Sequence, residues 1–471
     1  MPGIFTKAIL SQVLVSSVAS FPRLIAGMAM GWPTPMISRL TDPAVKDRLT
    51  SNEIGWIVSA MTIGGFIGSL LAANILSNRT SQKLILFLSM LPLIISYALT
   101  AYLPTFTCLM FARILCGASG RISAGALSIY LGETTENRIR GVMNAISTIV
   151  FNIGIIYSYV LGPRVDPRTF SLASGGPAII LSVFILMIPE SPYYLIQLGD
   201  TRGARNSMRF LRGGADVSEE ILQITKYVTN NKDRSSTFKE LIMNKVNRKS
   251  MIICMLVNFS IVSSGLQPLQ MYAERVFNES GFKLSSNDCI IILGIVMLLA
   301  NLANLIVIDW LGRQTMFSLS GITTCICLLI LGIFYHLKYL DWNVSSVNWI
   351  PLISFLAFTI TLNVGSMPLY SVLLSEIFTG NIKAIAISAQ QIITAFAALL
   401  SLKLFQIVRD YCGLQISLYL CAFFTLFFTV IASIVIPETK GKSFQEIEDM
   451  LGDHKYSSIE LKSNVACPLK D

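Results

Sequence analysis

The sequence predicts an all-α membrane protein of twelve transmembrane helices in two six-helix halves. Three observations predict it. The 471-residue chain is 53% hydrophobic and only 13% charged, with a mean hydropathy of +0.64; a soluble protein would be about 25% charged. Twelve mostly apolar runs, each near the ~20 residues that cross a bilayer as a helix, follow one another along the chain. Short charged signatures recur in the second six runs where they stand in the first.

The first run, 12–38, holds AGMAMGWPTPMI at 26–37 and no carboxylate. The second, 53–76, spaces Gly64, Gly68 and Ala72 four residues apart, and the fourth, 107–131, carries Gly117, Gly120 and Ala124. Small residues let backbones approach in lipid, where no hydrophobic force pulls helices together. The third run is 83–103, the fifth 142–162 and the sixth 169–188, which ends in Ile-Pro-Glu. The second half repeats the series at 251–273, 288–308, 314–336, 349–374, 385–407 and 414–436, and the last run again ends in Ile-Pro-Glu. Runs this long are helices, which satisfy their own backbone in lipid. The chain thus divides into a first half (1–188), a linker (189–250), a second half (251–436) and a tail (437–471).

Charge sets the orientation. The linker holds eleven Lys and Arg residues, from Arg202 to Lys249, whereas segments on the opposite side are sparse in them. Basic segments stay cytosolic, so the linker and both termini are expected there. The net charge of +9 then reflects topology and contact with an anionic leaflet. Its dispersal along the linker argues against nucleic-acid binding. Asn278-Glu-Ser and Asn343-Val-Ser fall in expected outer loops as glycosylation acceptors, and Trp342 and Trp349 lie at the outer interface. The first run is long enough to span, so no cleaved signal peptide is expected. Most of the nine cysteines sit in apolar runs as small fillers. No metal cluster, nucleotide loop or nucleophile–base pair stands out, which argues against an enzyme and leaves no cofactor to expect.

The repeated signatures all lie at expected cytosolic ends. PESP (189–192) answers PETK (437–440). Glu133, seven residues before Arg140, answers Glu376, seven before Lys383. The segment 68–83 answers 304–315. Such a duplicated six-plus-six chain is a transporter architecture, with a midplane cavity that rocking exposes to one side at a time.

Over nearly its whole length the chain resembles the sugar porters of the major facilitator superfamily. The resemblance is carried by Arg113-(x)3-Gly117, Tyr130-(x)2-Glu133-(x)6-Arg140-Gly141, PESP at 189–192, Asp309-Trp-Leu-Gly312-Arg313, Glu376-(x)6-Lys383 and PETKGKS at 437–443. The run Thr148-Ile-Val-Phe-Asn-Ile-Gly154 resembles the insect facilitated trehalose transporter branch. The resemblance implies a cytosolic gate of Glu133, Arg140, Glu190, Asp309, Arg313, Glu376, Lys383 and Glu438, pairing between the helix ends of the two halves in the outward-open state. A few exposed pairs, each worth about 0–1 kcal/mol, are on the scale of such a switch. The alternative is that these charges only keep loops solvated. The first-half loop departs from the pattern, with Ser77, Asn78, Thr80 and Ser81 where the family has Asp, Arg, Gly and Arg. A weaker lock is expected there.

The sugar site departs too. Ile261 and Val262 stand where the family has a glutamine pair, Met297 replaces a polar residue and Ser371 a tryptophan. The polar groups expected to line the cavity are Thr148, Asn152, Gln267, Gln270, Tyr272, Asn363 and Thr394. For a single Thr the competing role is an interhelical hydrogen bond, worth about 0.6 kcal/mol. Proton coupling requires an ionisable group in the membrane, and the first run lacks the acid of proton-coupled relatives. The expected function is therefore facilitated diffusion of a neutral sugar, trehalose or glucose, by a plasma-membrane monomer whose partners are its sugar and the lipid. A proton-coupled symporter, a non-transporting sugar sensor and a carrier of another neutral solute are the alternatives.

Overall fold

The computed structural model describes residues 2–40, 49–77, 80–136, 138–230, 241, 243–307, 312–378, 382–439, 446 and 450. Among these, eleven helices are long and apolar enough to cross a bilayer, and a bent pair, Lys7–Ala19 with Phe21–Ile37, makes a twelfth span. The first half comprises α1 (Pro2–Ala19), α2 (Phe21–Gly31), α3 (Pro33–Leu40), α4 (Ser51–Ser77), α5 (Gln82–Tyr102), α6 (Phe106–Thr134), α7 (Arg140–Leu161) and α8 (Pro167–Met187). The linker forms α9 (Pro192–Gln197), α10 (Thr201–Leu211) and α11 (Ser218–Asn230). The second half comprises α12 (Lys245–Ser263), α13 (Leu266–Met271), α14 (Ala273–Ser280), α15 (Ser286–Val307), α16 (Arg313–Tyr339), α17 (Ile350–Thr361), α18 (Met367–Ile377), α19 (Ile382–Cys412) and α20 (Leu414–Val435).

Three spans are broken, two of them where the sequence gives cause. The first bends by 42° between α1 and α2, where Pro22 cannot donate a helical hydrogen bond and the Ser20 hydroxyl turns back to the Ser16 carbonyl. The seventh breaks at Gly265, whose φ of +72° favours a residue without a Cβ. The tenth carries a π-turn over Leu362–Ser366 between α17 and α18. Broken spans near the midplane are where transporters place their sites.

Small residues set the closest helix contacts. A Cβ on Gly64 would lie 2.0 Å from the Ile114 carbonyl oxygen, and one on Gly117 1.9 Å from that of Met61. The second and fourth spans thus form a glycine seam, backbone against backbone. A second seam joins the halves. Ile54 and Val58 of α4 and Tyr159 of α7 share one buried apolar cluster with Leu269, Leu293, Leu402 and Phe405.

Candidate transport site and gates

The inter-half contacts gather toward the end of the bundle that carries loops 103–105, 162–166, 281–285 and 340–349, the end expected to be outside. Thr34 donates to the Gln270 carbonyl at 2.9 Å. The Gln267 amide donates to the Thr62 hydroxyl at 3.0 Å. The Lys403 ammonium sits 3.6 Å from the centre of the Trp56 ring, a cation–π contact across the seam. Gly55 lets Gln406 lie against α4, because a Cβ there would meet its amide nitrogen at 1.7 Å. Nearer the middle, the Phe66 and Phe396 rings meet at 6.1 Å.

The expected cavity residues divide into groups. Gln267 joins the halves as described, and the Gln270 amide turns toward the Met297 sulfur at 3.5 Å. Asn363 sits in the π-turn, donating to the Thr359 carbonyl and accepting from Asn301. Thr394 accepts from Asn258 at 2.6 Å and lies 3.5 Å from the Tyr370 hydroxyl. Asn152 is 1% exposed, and among the described residues neither of its amide atoms has a partner. Thr148 bonds back to the Asn144 carbonyl of its own helix, neither into the cavity nor across to another helix. Tyr272 packs under the Arg409 guanidinium, 4.2 Å away, near the outer end and apart from the other groups.

Two cations stand in spans that hold no midplane carboxylate. Arg23 of α2 and Arg121 of α6 stand at the middles of the first and fourth spans, Lys7–Ile37 and Phe106–Thr134. An Arg at a helix centre costs about 2.5–3.5 kcal/mol on insertion scales. Their presence in the sequence is the signal that would have found them. Arg113, a turn or two away, is accounted for: it is 2% exposed and donates to the Ala29 carbonyl at 2.5 Å.

At the opposite end, expected to be inside, each half ties its own helix ends. Glu438 accepts the Arg313 and Gln314 amides at the start of α16, at 2.9 and 3.4 Å. Arg313 pairs with Glu376 at 3.0 Å, and Glu376 also accepts from Thr439 at 2.6 Å. In the first half, Ser81 donates to Glu190 at 2.6 Å, Ser191 donates to Glu133, and Arg140 reaches the Gly132 carbonyl at 2.9 Å. All of these contacts stay within a half, whereas the resemblance implies pairs between halves in an outward-open state. The halves meet at the opposite end of the bundle, through the contacts of Thr34, Gln267 and Lys403. Asp309, Asn78 and the side chains of Ser77 and Lys383 lie outside the described residues.

A family model described as "Sugar (and other) transporter" matches residues 13–451. The chain belongs to that family. It is 27% identical over 448 residues to the facilitated trehalose transporter Tret1 of Culex quinquefasciatus, covering 94% of this chain and 86% of the relative. It is also 27% identical to the Tret1-2 homologue of Drosophila simulans, over 95% of this chain and 93% of that one. Among solved structures, the inward-open xylose transporter XylE of E. coli superposes with a TM-score of 0.76 at 18% identity, over 94% of this chain and 99% of that one. The fold is accordingly that of the major facilitator superfamily, and the chain is a multi-pass membrane transporter rather than an enzyme.

Proposed function

We propose that this protein carries a sugar by facilitated diffusion and alternating access, with trehalose and glucose the first candidates. The observation that carries the reading is the seam. Gln267 and Thr62 face each other from opposite halves, and around them the contacts are side-chain contacts that rigid-body rocking can break and remake. The trehalose relatives supply the candidate substrate. Uniport is favoured over symport by the placement of the acids. Within the candidate spans, the carboxylates Glu53, Glu133, Asp288 and Asp410 each stand within two residues of an end, so none sits at the midplane to carry a proton.

The setting is the plasma membrane, with both termini cytosolic and a monomer as the working unit. On that orientation the outer end is closed and the cavity faces inward. The exposed Asn278 and Asn343 then lie outside, available to glycosylation. The test is uptake of radiolabelled trehalose and glucose in oocytes at two external pH values. Saturable uptake indifferent to pH supports the proposal. An alkaline shift outside on sugar addition would replace uniport with proton symport, and absence of uptake with protein at the surface would overturn the carrier reading.

A further inference from the structure

Arg23 and Arg121 are placed as a pair. Each lies at the middle of its span, and α2 packs on α6 beside them, where a Cβ on Gly120 would lie 3.5 Å from that of Ala26. Among the described residues neither makes a hydrogen bond or ion pair with a carboxylate or a carbonyl. Both keep part of their surface open, unlike the sealed Arg113. The Arg23 guanidinium lies 4.5 Å from the centre of the Phe151 ring, and Phe151 packs on the apolar cluster that joins the halves. The Arg121 stem rests against Gly65, next to the Phe66 that meets Phe396 from the other half. The two cations therefore border the space between the halves. Like charges at a midplane repel one another and are costly to bury without a counter-charge.

A second observation stands beside the pair. Asn152, the residue after Phe151, is 1% exposed with both amide atoms unpartnered. A hydroxylated ligand that brings an anion to the arginines also brings donors and acceptors for that amide. Guanidinium groups match the paired oxygens of a carboxylate or phosphate, and two of them at one site fix both charge and orientation.

We infer that the central site accepts a sugar bearing a negative group, a carboxylate or a phosphate, held between Arg23 and Arg121 with Asn152 at its polar edge. This rests on the sugar-carrier reading above and adds a substrate class to the neutral sugars. No covalent step is involved.

The experiment uses the full-length chain purified into proteoliposomes. Uptake of labelled glucuronate, glucose 6-phosphate and trehalose is measured with and without an imposed membrane potential, alongside equilibrium binding in detergent. The expected result is saturable, potential-sensitive uptake of one anionic sugar. Preference between glucuronate and glucose 6-phosphate separates the carboxylate from the phosphate. Arg121→Gln and Arg23→Gln should each lower affinity for the anion roughly ten- to a hundredfold, the weight of a charge-assisted hydrogen bond, and lower the anion-to-trehalose ratio. Arg121→Lys should recover part of it, showing that charge rather than folding is lost. Trehalose uptake with neither uptake nor binding of either anion would overturn this inference and leave the carrier reading standing. No uptake or binding of any of the three would overturn both.

Discussion

Removing the polar seam should open the outer end. Trp56→Ala deletes the contact in which Lys403 lies 3.6 Å from the ring centre, and Thr62→Val deletes the 3.0 Å hydrogen bond from Gln267. Trp56 is 42% exposed, so its cation–π contact belongs to the weaker part of the usual range, about 1 kcal/mol. The neutral hydrogen bond contributes about 1 kcal/mol more. Neither contact survives separation of the halves, so the whole loss falls on the outward-closed state. The double variant should shift the closed-to-open ratio by about 2 kcal/mol, or roughly thirtyfold. Spin labels at Leu103 and Trp342, exposed at the outer ends of the two halves, read the change as a longer distance component. The cysteines they need belong in a background lacking the exposed Cys412. A distribution unchanged from wild type in both mean and width would refute the assignment of these contacts as the outer latch.

Three further outcomes are expected. Gly117→Ala forces its new Cβ toward the Met61 carbonyl oxygen, now 1.9 Å from that position, and should cost about 1–3 kcal/mol in detergent thermostability; Gly176→Ala, with nothing within 4 Å, should be neutral or stabilising, and equal melting of the two would contradict the seam. Ser77→Asp with Ser81→Arg restores the family's charges at the first-half loop and should favour the outward-open state by up to about fivefold, read by the same spin labels; an unmoved equilibrium sinks the weak-lock idea. Asn278→Gln and Asn343→Gln should each remove one glycan and speed gel migration, and unchanged mobility of both would argue against the outer assignment of that end.

Most of the fold was legible because lipid leaves few options. A run of about 20 apolar residues must be a helix, and the twelve expected runs reappear as eleven spans and one bent pair. The breaks were less visible. Gly265 announces its turn, but the π-turn at 362–366 depends on Ser320 reaching Thr361 and Ser366 from a different span, which no local pattern displays. The cavity list shows the same limit. Gln267, Thr394 and Tyr272 all engage partners far along the chain, and it is the distant Arg409 that holds Tyr272 apart from the other groups. Arg23 and Arg121 are legible as cations in the middle of apolar runs.

The repeated Pro-Glu has one job in both halves, yet it is done with different strength. Glu438 takes the two backbone amides that open α16, where a carboxylate also meets the positive end of the helix dipole. That leaves the Arg313 side chain to pair with Glu376, so one residue ties three helix ends together. Glu190 stands in the equivalent place but, among the described residues that open α5, receives the Ser81 hydroxyl alone, while the Ser81 oxygen itself caps the α5 amide of Leu84 at 3.0 Å. A neutral donor to a carboxylate is weaker than a guanidinium pair backed by two amides. The start of α5 should therefore open at lower free energy than the start of α16. Hydrogen exchange on the full-length protein in detergent tests this: amides near Leu84 should exchange faster than those at Arg313 and Gln314, by about tenfold for each 1.4 kcal/mol of difference. Ser81→Ala should widen the gap, and Glu438→Gln should close it. Equal protection in the wild type would mean that the two staples are equivalent despite their chemistry, and that the lost charges at 77–81 place no mechanical asymmetry between the halves.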